Sequence, residues 1–271
     1  MKQQSFLVAI ILGSLVIILL FTWRIGHIQP PPDKFELSAG KGVAWLMDYK
    51  GQTLDPAILW MMQNINNNYC GGIEGVKKEI SQRAKEFTEK QPQRAFLRLL
   101  LGGDGDMPSD KYIASIPNFN DVMIRALYCD KRQIPAESLK RMFSIEQAEK
   151  YDLTHYLWAM QILKDRSCSI PAGYDINALM QKAAERIVVE EDRDTIYGDL
   201  FAERIAFLEY MGFENLVRPE WYDKLVSIQQ PSGGWSNPGL LSWEHDPNPH
   251  ITSLAVWALA QRTKTCPFVK E

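Results

Sequence analysis

Ser227-Ile228-Gln229-Gln230-Pro231-Ser232-Gly233-Gly234-Trp235, followed by a Pro/Asn-rich loop and the segment 250–261, is the stretch from which this chain is best read. Pro231 cannot continue a helix, and the glycine pair supplies a tight turn, so the helix predicted over 219–230 stops here. Trp235 then reads as the packing element of the turn. Beyond the polar loop, residues 251–260 are apolar nearly all round, which means burial on every side. An amphipathic helix, a turn and a fully buried helix make a helical hairpin.

The same combination recurs upstream. Leu157-Trp158-Ala159-Met160 matches Val256-Trp257-Ala258-Leu259 without a gap, and each follows a Thr and a His: Thr154-His155, and His250-Ile251-Thr252. Segment 153–163 is again apolar all round, whereas 177–190 is amphipathic, with Leu179, Ala183 and Ile187 opposite Lys182, Glu185 and Arg186. Helices are predicted over 41–49, 55–66, 75–90, 93–101, 120–130, 146–164, 177–190, 198–212, 219–230 and 250–262. No run alternates with period two, so no strand is expected. Starts of buried helices near 120, 152, 198 and 250 lie roughly 30 to 50 residues apart, a helical-hairpin period. The expected fold is all-α, with outer and inner helices interleaved in an α/α-toroid-like ring or a helical-hairpin repeat over 35–271.

Ahead of this domain, a short tail (1–4) leads into 5–23, SFLVAIILGSLVIILLFTW, which carries no charge. About 20 apolar residues span a bilayer, so a transmembrane anchor is expected there. The run ends Leu-Leu-Phe-Thr-Trp-Arg, without the small residues of a cleavage site, which favours a retained signal-anchor over a cleaved leader. Trp23 suits the membrane interface. Residues 24–34, with QPPPDK at their end, form a stiff proline-rich linker. The helical domain is expected on the exported, periplasmic or extracellular, side.

Hydrophobic residues make up 46% of the 271, ample for a core, and the formal charge is −3. Setting aside Lys2 and Arg24 leaves 28 basic against 33 acidic residues, with no basic cluster to neutralise phosphates, so nucleic acid is not an expected partner. The four cysteines, Cys70, Cys129, Cys168 and Cys266, are far apart in sequence and form no CxxC. One or two disulfides, or four buried thiols, are both compatible with that spacing.

Gln229 to Trp235 together with Thr252-Ser253-Leu254-Ala255-Val256-Trp257-Ala258-Leu259 resembles the repeat of the terpene cyclase and protein prenyltransferase α/α-toroid superfamily. In that repeat a Gln, a Gly and a Trp mark the turn between hairpins, and the next helix enters the inner ring. Here Gly233-Gly234-Trp235 is contiguous and the motif occurs once. Neither an aspartate-rich cyclase motif nor the prenyltransferases' Asp, Cys and His zinc ligands are apparent. The resemblance therefore implies a fold, not an activity.

Trp243-Glu244-His245-Asp246-Pro247-Asn248-Pro249-His250 is the densest group of acid/base- and metal-capable side chains. In a toroid this loop would enter the inner ring at its mouth. His250 and His245 are the candidate proton carriers or zinc ligands, and Asp246 is their candidate orienting carboxylate. Glu203 is a further candidate acid or base. Asp199 lies four residues before it, on the same helix face, with Arg204 as an alternative partner for both. His155, Asp199, Trp235 and Trp243 are candidate ligand contacts. Asp104, Asp106 and Asp110 read as an acidic turn. Two functions are compatible with this set: an envelope protein that binds an apolar or glycan ligand or a protein partner, and an enzyme (hydrolase, lyase or cyclase-like) with a His/Asp/Glu centre. An enzyme requires His155, Glu203 and His250 to converge on one cavity.

Overall fold

The structure is a computed structural model, which describes residues 33–49, 54–86, 92–101, 107–116, 118–237 and 246–268. The anchor expected over 5–23 and most of the 24–34 linker lie outside the described residues, as do Trp243 and His245. Among the described residues, no helix is long and apolar enough to cross a membrane.

All regular structure among these residues is helical. Twelve α-helices follow in order: α1 (Lys34–Asp48), α2 (Pro56–Tyr69), α3 (Glu74–Ala84), α4 (Arg98–Leu101), α5 (Asp110–Ala114), α6 (Asn118–Leu127), α7 (Ala136–Phe143), α8 (Tyr151–Asp165), α9 (Ile176–Glu191), α10 (Asp199–Tyr210), α11 (Pro219–Ser227) and α12 (Pro249–Thr263). α12 packs against α1, α2 and α10. α10 also meets α8 and α9, and α8 meets α6, α7 and α9. α2 carries α3 and α4 together with the 3-10 turn Pro92–Leu97, which in turn touches α6. From Ile251 to Gln261 every residue of α12 is buried, as its all-round apolarity requires.

The turn after α11 is built as the sequence suggests, with additions. Gly233 sits at φ 98°, a conformation that favours glycine. Trp235 is fully buried. Its indole N–H donates to the Leu225 carbonyl at 2.8 Å, and its backbone N–H donates to Thr252 Oγ1 at 3.0 Å. Asn248 N–H donates to the Trp235 carbonyl at 2.7 Å, so the tryptophan fixes where α12 begins. Gln229 Nε2 donates to the Gly233 and Ser38 carbonyls at 2.7 and 2.8 Å, and its Oε1 accepts from Ser38 Oγ at 2.8 Å. The motif glutamine thus ties the turn to α1. Its backbone lies outside α11, which ends at Ser227 rather than 230.

Other boundaries also differ from expectation. α1 begins at Lys34, not at 41, because Gly40 and Gly42 do not break it. Gly42 is instead a contact point with α12 and the turn. A Cβ there would lie 2.4 Å from Val256 Cγ2 and 2.8 Å from Trp235 Cζ3. Gly42→Ala should therefore cost about 1–3 kcal/mol through overpacking. Gly75→Ala, with nothing within 4 Å, should be neutral or slightly stabilising. Urea denaturation of the two variants checks the contrast. α8 starts at Tyr151 rather than 146, since the chain turns at Lys150 with φ 51°. α7 was not expected: its eight residues bury Leu139, Met142 and Phe143 on one side. Asp110 opens the short α5, capped by Ser109, within what reads as an acidic turn.

All four cysteines are paired, Cys70 with Cys266 and Cys129 with Cys168, with Cα separations of 4.7 and 5.9 Å. The first bond joins the residue after α2 to the tail after α12. The alternative of four buried thiols is set aside.

Candidate functional site

Four helices begin around one cavity of about 420 Å³. Asp55 caps α2 by accepting from Ala57 N–H at 2.8 Å, and Asn248 caps α12 by accepting from His250 N–H at 2.8 Å. Helical periodicity then stacks each helix's cavity-facing side chains turn upon turn. On α8 the stack is Tyr151, His155 and Trp158; on α10 it is Asp199, Glu203 and Phe207; on α12 it is His250 and Leu254. Each series runs from polar at the helix start to apolar one or two turns deeper. The cavity consequently has a polar rim and an aromatic floor.

At the rim, His250 Nδ1 and Asp199 Oδ1 are 2.7 Å apart. The second Asp199 oxygen accepts from the Tyr151 hydroxyl at 2.9 Å, and the Asp199 backbone N–H donates to Asn237 Oδ1 at 2.9 Å. Deeper, Glu203 Oε1 accepts from the Thr154 hydroxyl and lies 3.3 Å from His155 Nε2. Glu203 is 2% exposed. Below these, Trp60 and Trp158 stack at 5.3 Å between centroids, and Phe207 meets Trp158 at 5.0 Å. Trp257 and Tyr210 extend the same aromatic cluster, at 5.1 and 5.4 Å from Trp60.

Burial opposes the charge on both members of the His250–Asp199 pair, and their mutual interaction overcomes it. Desolvation alone would lower the His250 pKa. The hydrogen bond and charge of Asp199, helped by Glu203 and Asp55, push it up to about 9. Desolvation alone would raise the Asp199 pKa, but the His250 hydrogen bond and charge and the Tyr151 hydroxyl hold it below its ordinary value. Burial and the neighbouring Asp199 push Tyr151 up, so it remains a protonated donor. Burial also raises Asp55, in spite of the Ala57 N–H and the charge of His250.

The sign of the resulting pH dependence follows from linkage. A histidine whose folded pKa lies above its ordinary 6.5 contributes stability that is full below that value and is lost as pH rises through about 9. A depressed aspartate contributes stability that is lost as pH falls below its ordinary 3.8. The pair should therefore hold between these limits. Melting temperature should decline as pH rises from about 6.5 to about 9, and His250→Gln should flatten that limb of the profile.

The structure brings His155, Asp199, Glu203 and His250 together on one cavity. Other candidates fall elsewhere. The carboxylate that orients His250 is Asp199; Asp246, exposed on the approach to α12, does not have that role. Asn237 supplies a further rim contact. Trp235 is consumed by packing in its turn and does not line the cavity. Arg204, the alternative partner for Asp199 and Glu203, points away to Glu190 and Glu191, both at 2.7 Å. Among the described residues, which do not include His245, no group of three or more His, Cys, Asp or Glu is placed to hold a metal ion.

Sequence reasoning missed Tyr151, Thr154, Asp55 and Trp60 as parts of the site. Tyr151 had a usable signal, since it lies seven residues before Trp158 as His250 lies seven before Trp257. Asp55 reads as a helix start, which it is, and only the closure of neighbouring helices places it at a cavity. Comparison with protein-family models, with curated proteins and with solved structures gives no match. The functional reading accordingly rests on geometry.

Proposed function

We propose that this chain is a membrane-anchored enzyme of the cell envelope that takes a small, largely apolar molecule into the α2/α8/α10/α12 cavity and performs acid–base chemistry on it, a hydrolysis or an elimination. One observation carries the reading: His155, Glu203 and His250 converge on a single aromatic-floored cavity. An envelope binding protein of the scaffold type has no need of two histidine–carboxylate pairs in one pocket. With Nδ1 held by Asp199 and the side chain 40% exposed, His250 offers Nε2 as the proton carrier. Asp199 and Tyr151 position it. Glu203, coupled to His155, is the second acid–base group.

The wider reading has its own support. The succession of neighbours α2, α12, α10, α8, α6 and the 3-10 turn returns to α2, which suits an α/α-toroid-like ring. Residues 5–23 have the length and apolarity of an anchor. Two disulfides suit an oxidising, exported location.

The test is a screen of the full-length chain in neutral detergent against ester, amide, glycoside and elimination substrates. Turnover that disappears in His250→Gln, with the far-UV spectrum retained, would support the reading. No turnover in any class, or turnover indifferent to His250, would sink it.

A further inference from the structure

We infer that the ligand of this cavity is a small organic cation, an amine or quaternary ammonium compound, seated on the Trp60/Trp158/Phe207 floor with Glu203 as its counter-ion. The inference rests on the cavity being the working site proposed above, and it names the class of molecule bound there.

The first argument is the charge of the walls. The described lining residues include three carboxylates, Asp55, Asp199 and Glu203, and their only bases are the imidazoles of His155 and His250; no Lys or Arg is among them. Of the helix N-termini gathered here, that of α12 is capped by Asn248, and the first N–H of α10 donates to Asn237 Oδ1. Asp55 already meets the N-terminus of α2 through Ala57 N–H, and Asp199 already neutralises His250. A phosphorylated or carboxylated ligand would therefore face carboxylates without a fixed cation to receive it.

The second argument is Glu203. It is buried and lines the cavity, Thr154 donates its hydroxyl to Oε1, and His155 Nε2 lies 3.3 Å from the same oxygen. Four residues further along α10, about 6 Å along the axis, stands Phe207. Trp158 stands three residues beyond His155 on α8 and touches both Phe207 and Trp60. A buried carboxylate one turn above a continuous aromatic surface meets both requirements of an ammonium group: a counter-charge, and ring faces within reach of about 6 Å. Phe96, Met61, Met123 and Leu254 complete an apolar enclosure. That enclosure suits the carbon substituents of an amine better than the many hydroxyls of a sugar.

The experiment uses tryptophan fluorescence of the full-length chain in neutral detergent at fixed ionic strength. The probes are benzyltrimethylammonium, benzyl alcohol and benzoate, which share a ring and differ in charge. The ammonium should bind at least about tenfold more tightly than the alcohol, with benzoate weakest. Glu203→Gln should erase the cation preference and leave benzyl alcohol binding unchanged. Equal affinity for the alcohol or benzoate in the unaltered chain would overturn the inference without recourse to any variant.

His250→Gln separates this inference from the catalytic reading, because it should retain the cation preference while losing turnover. Cation-selective binding without turnover in any class would remove the catalytic reading and leave the inference standing. His250-dependent turnover of neutral or anionic substrates, with no cation selectivity, would do the reverse.

Discussion

Asp199→Asn should return His250 from a pKa of about 9 towards its ordinary 6.5, and should lower turnover by about 10²–10⁴-fold. The reason is geometric before it is electrostatic. Asp199 Oδ1 holds the imidazole by Nδ1, which fixes the ring orientation and the tautomer that presents Nε2. An asparagine can turn its amide towards Nδ1, and it then stabilises the opposite tautomer and no positive charge. Glu203 and Asp55 remain as weaker sources of the upward shift. Proton NMR titration reads the pKa directly, and with four histidines in the chain, His250→Gln assigns the resonance. An unchanged titration in Asp199→Asn would show that the carboxylate does not hold this ring. A shifted titration with unchanged turnover would show that the ring does not carry the proton. Tyr151→Phe removes one of the two side-chain donors to Asp199, so its effect should have the same direction and be smaller.

The helical architecture was legible because the strongest signal in the sequence is all-round apolarity, which belongs to helices buried on every side. Segments 153–163 and 251–260 lie within α8 and α12, both packed between neighbours. Failures came where tertiary contact reverses a local preference. Gly42 is a poor helix former, yet it lies inside α1 because the approach of Trp235 and Val256 leaves no room for a side chain. α7 is too short to show a period.

Site residues divided in the same way. That His250, Asp199, Glu203 and His155 share a cavity was legible in part, because helical spacing puts the carboxylates on one face and the Trp-containing repeat aligns helix starts. Their pairing was not legible, since it depends on which helices adjoin. The sequence-adjacent Asp246 looks the natural partner of His250, but helix packing brings Asp199, 51 positions away, to within 2.7 Å. The disulfides were opaque for the same reason: Cys70 and Cys266 are 196 residues apart and meet only because α2 and α12 are neighbours.

Trp235→Ala should destabilise the folded chain by about 3–5 kcal/mol, the range for deleting a fully buried aromatic side chain. Domains of ordinary stability have about 5–15 kcal/mol in all, so the variant should lose much of its resistance to urea. Three consequences of one substitution add to one another. The cavity left between α1, α11 and α12 removes packing from Gly42, whose missing side chain exists to admit the indole. The Leu225 carbonyl loses the indole N–H. The backbone link between the turn and Asn248 loses the anchor that holds it in place. Because Asn248 caps α12 at His250, that loosening should reach the rim of the cavity as well as the core. The measurement pairs a urea titration with the His250 NMR titration. A large loss of stability with the His250 pKa still near 9 would mean that the turn supports the core alone. A loss of stability together with a fall of that pKa would mean that the Gly-Gly-Trp turn also sets the geometry of the His250–Asp199 pair. Trp235→Phe keeps most of the volume and gives up the hydrogen bond. It should lie between the two and separate packing from the anchoring of the turn.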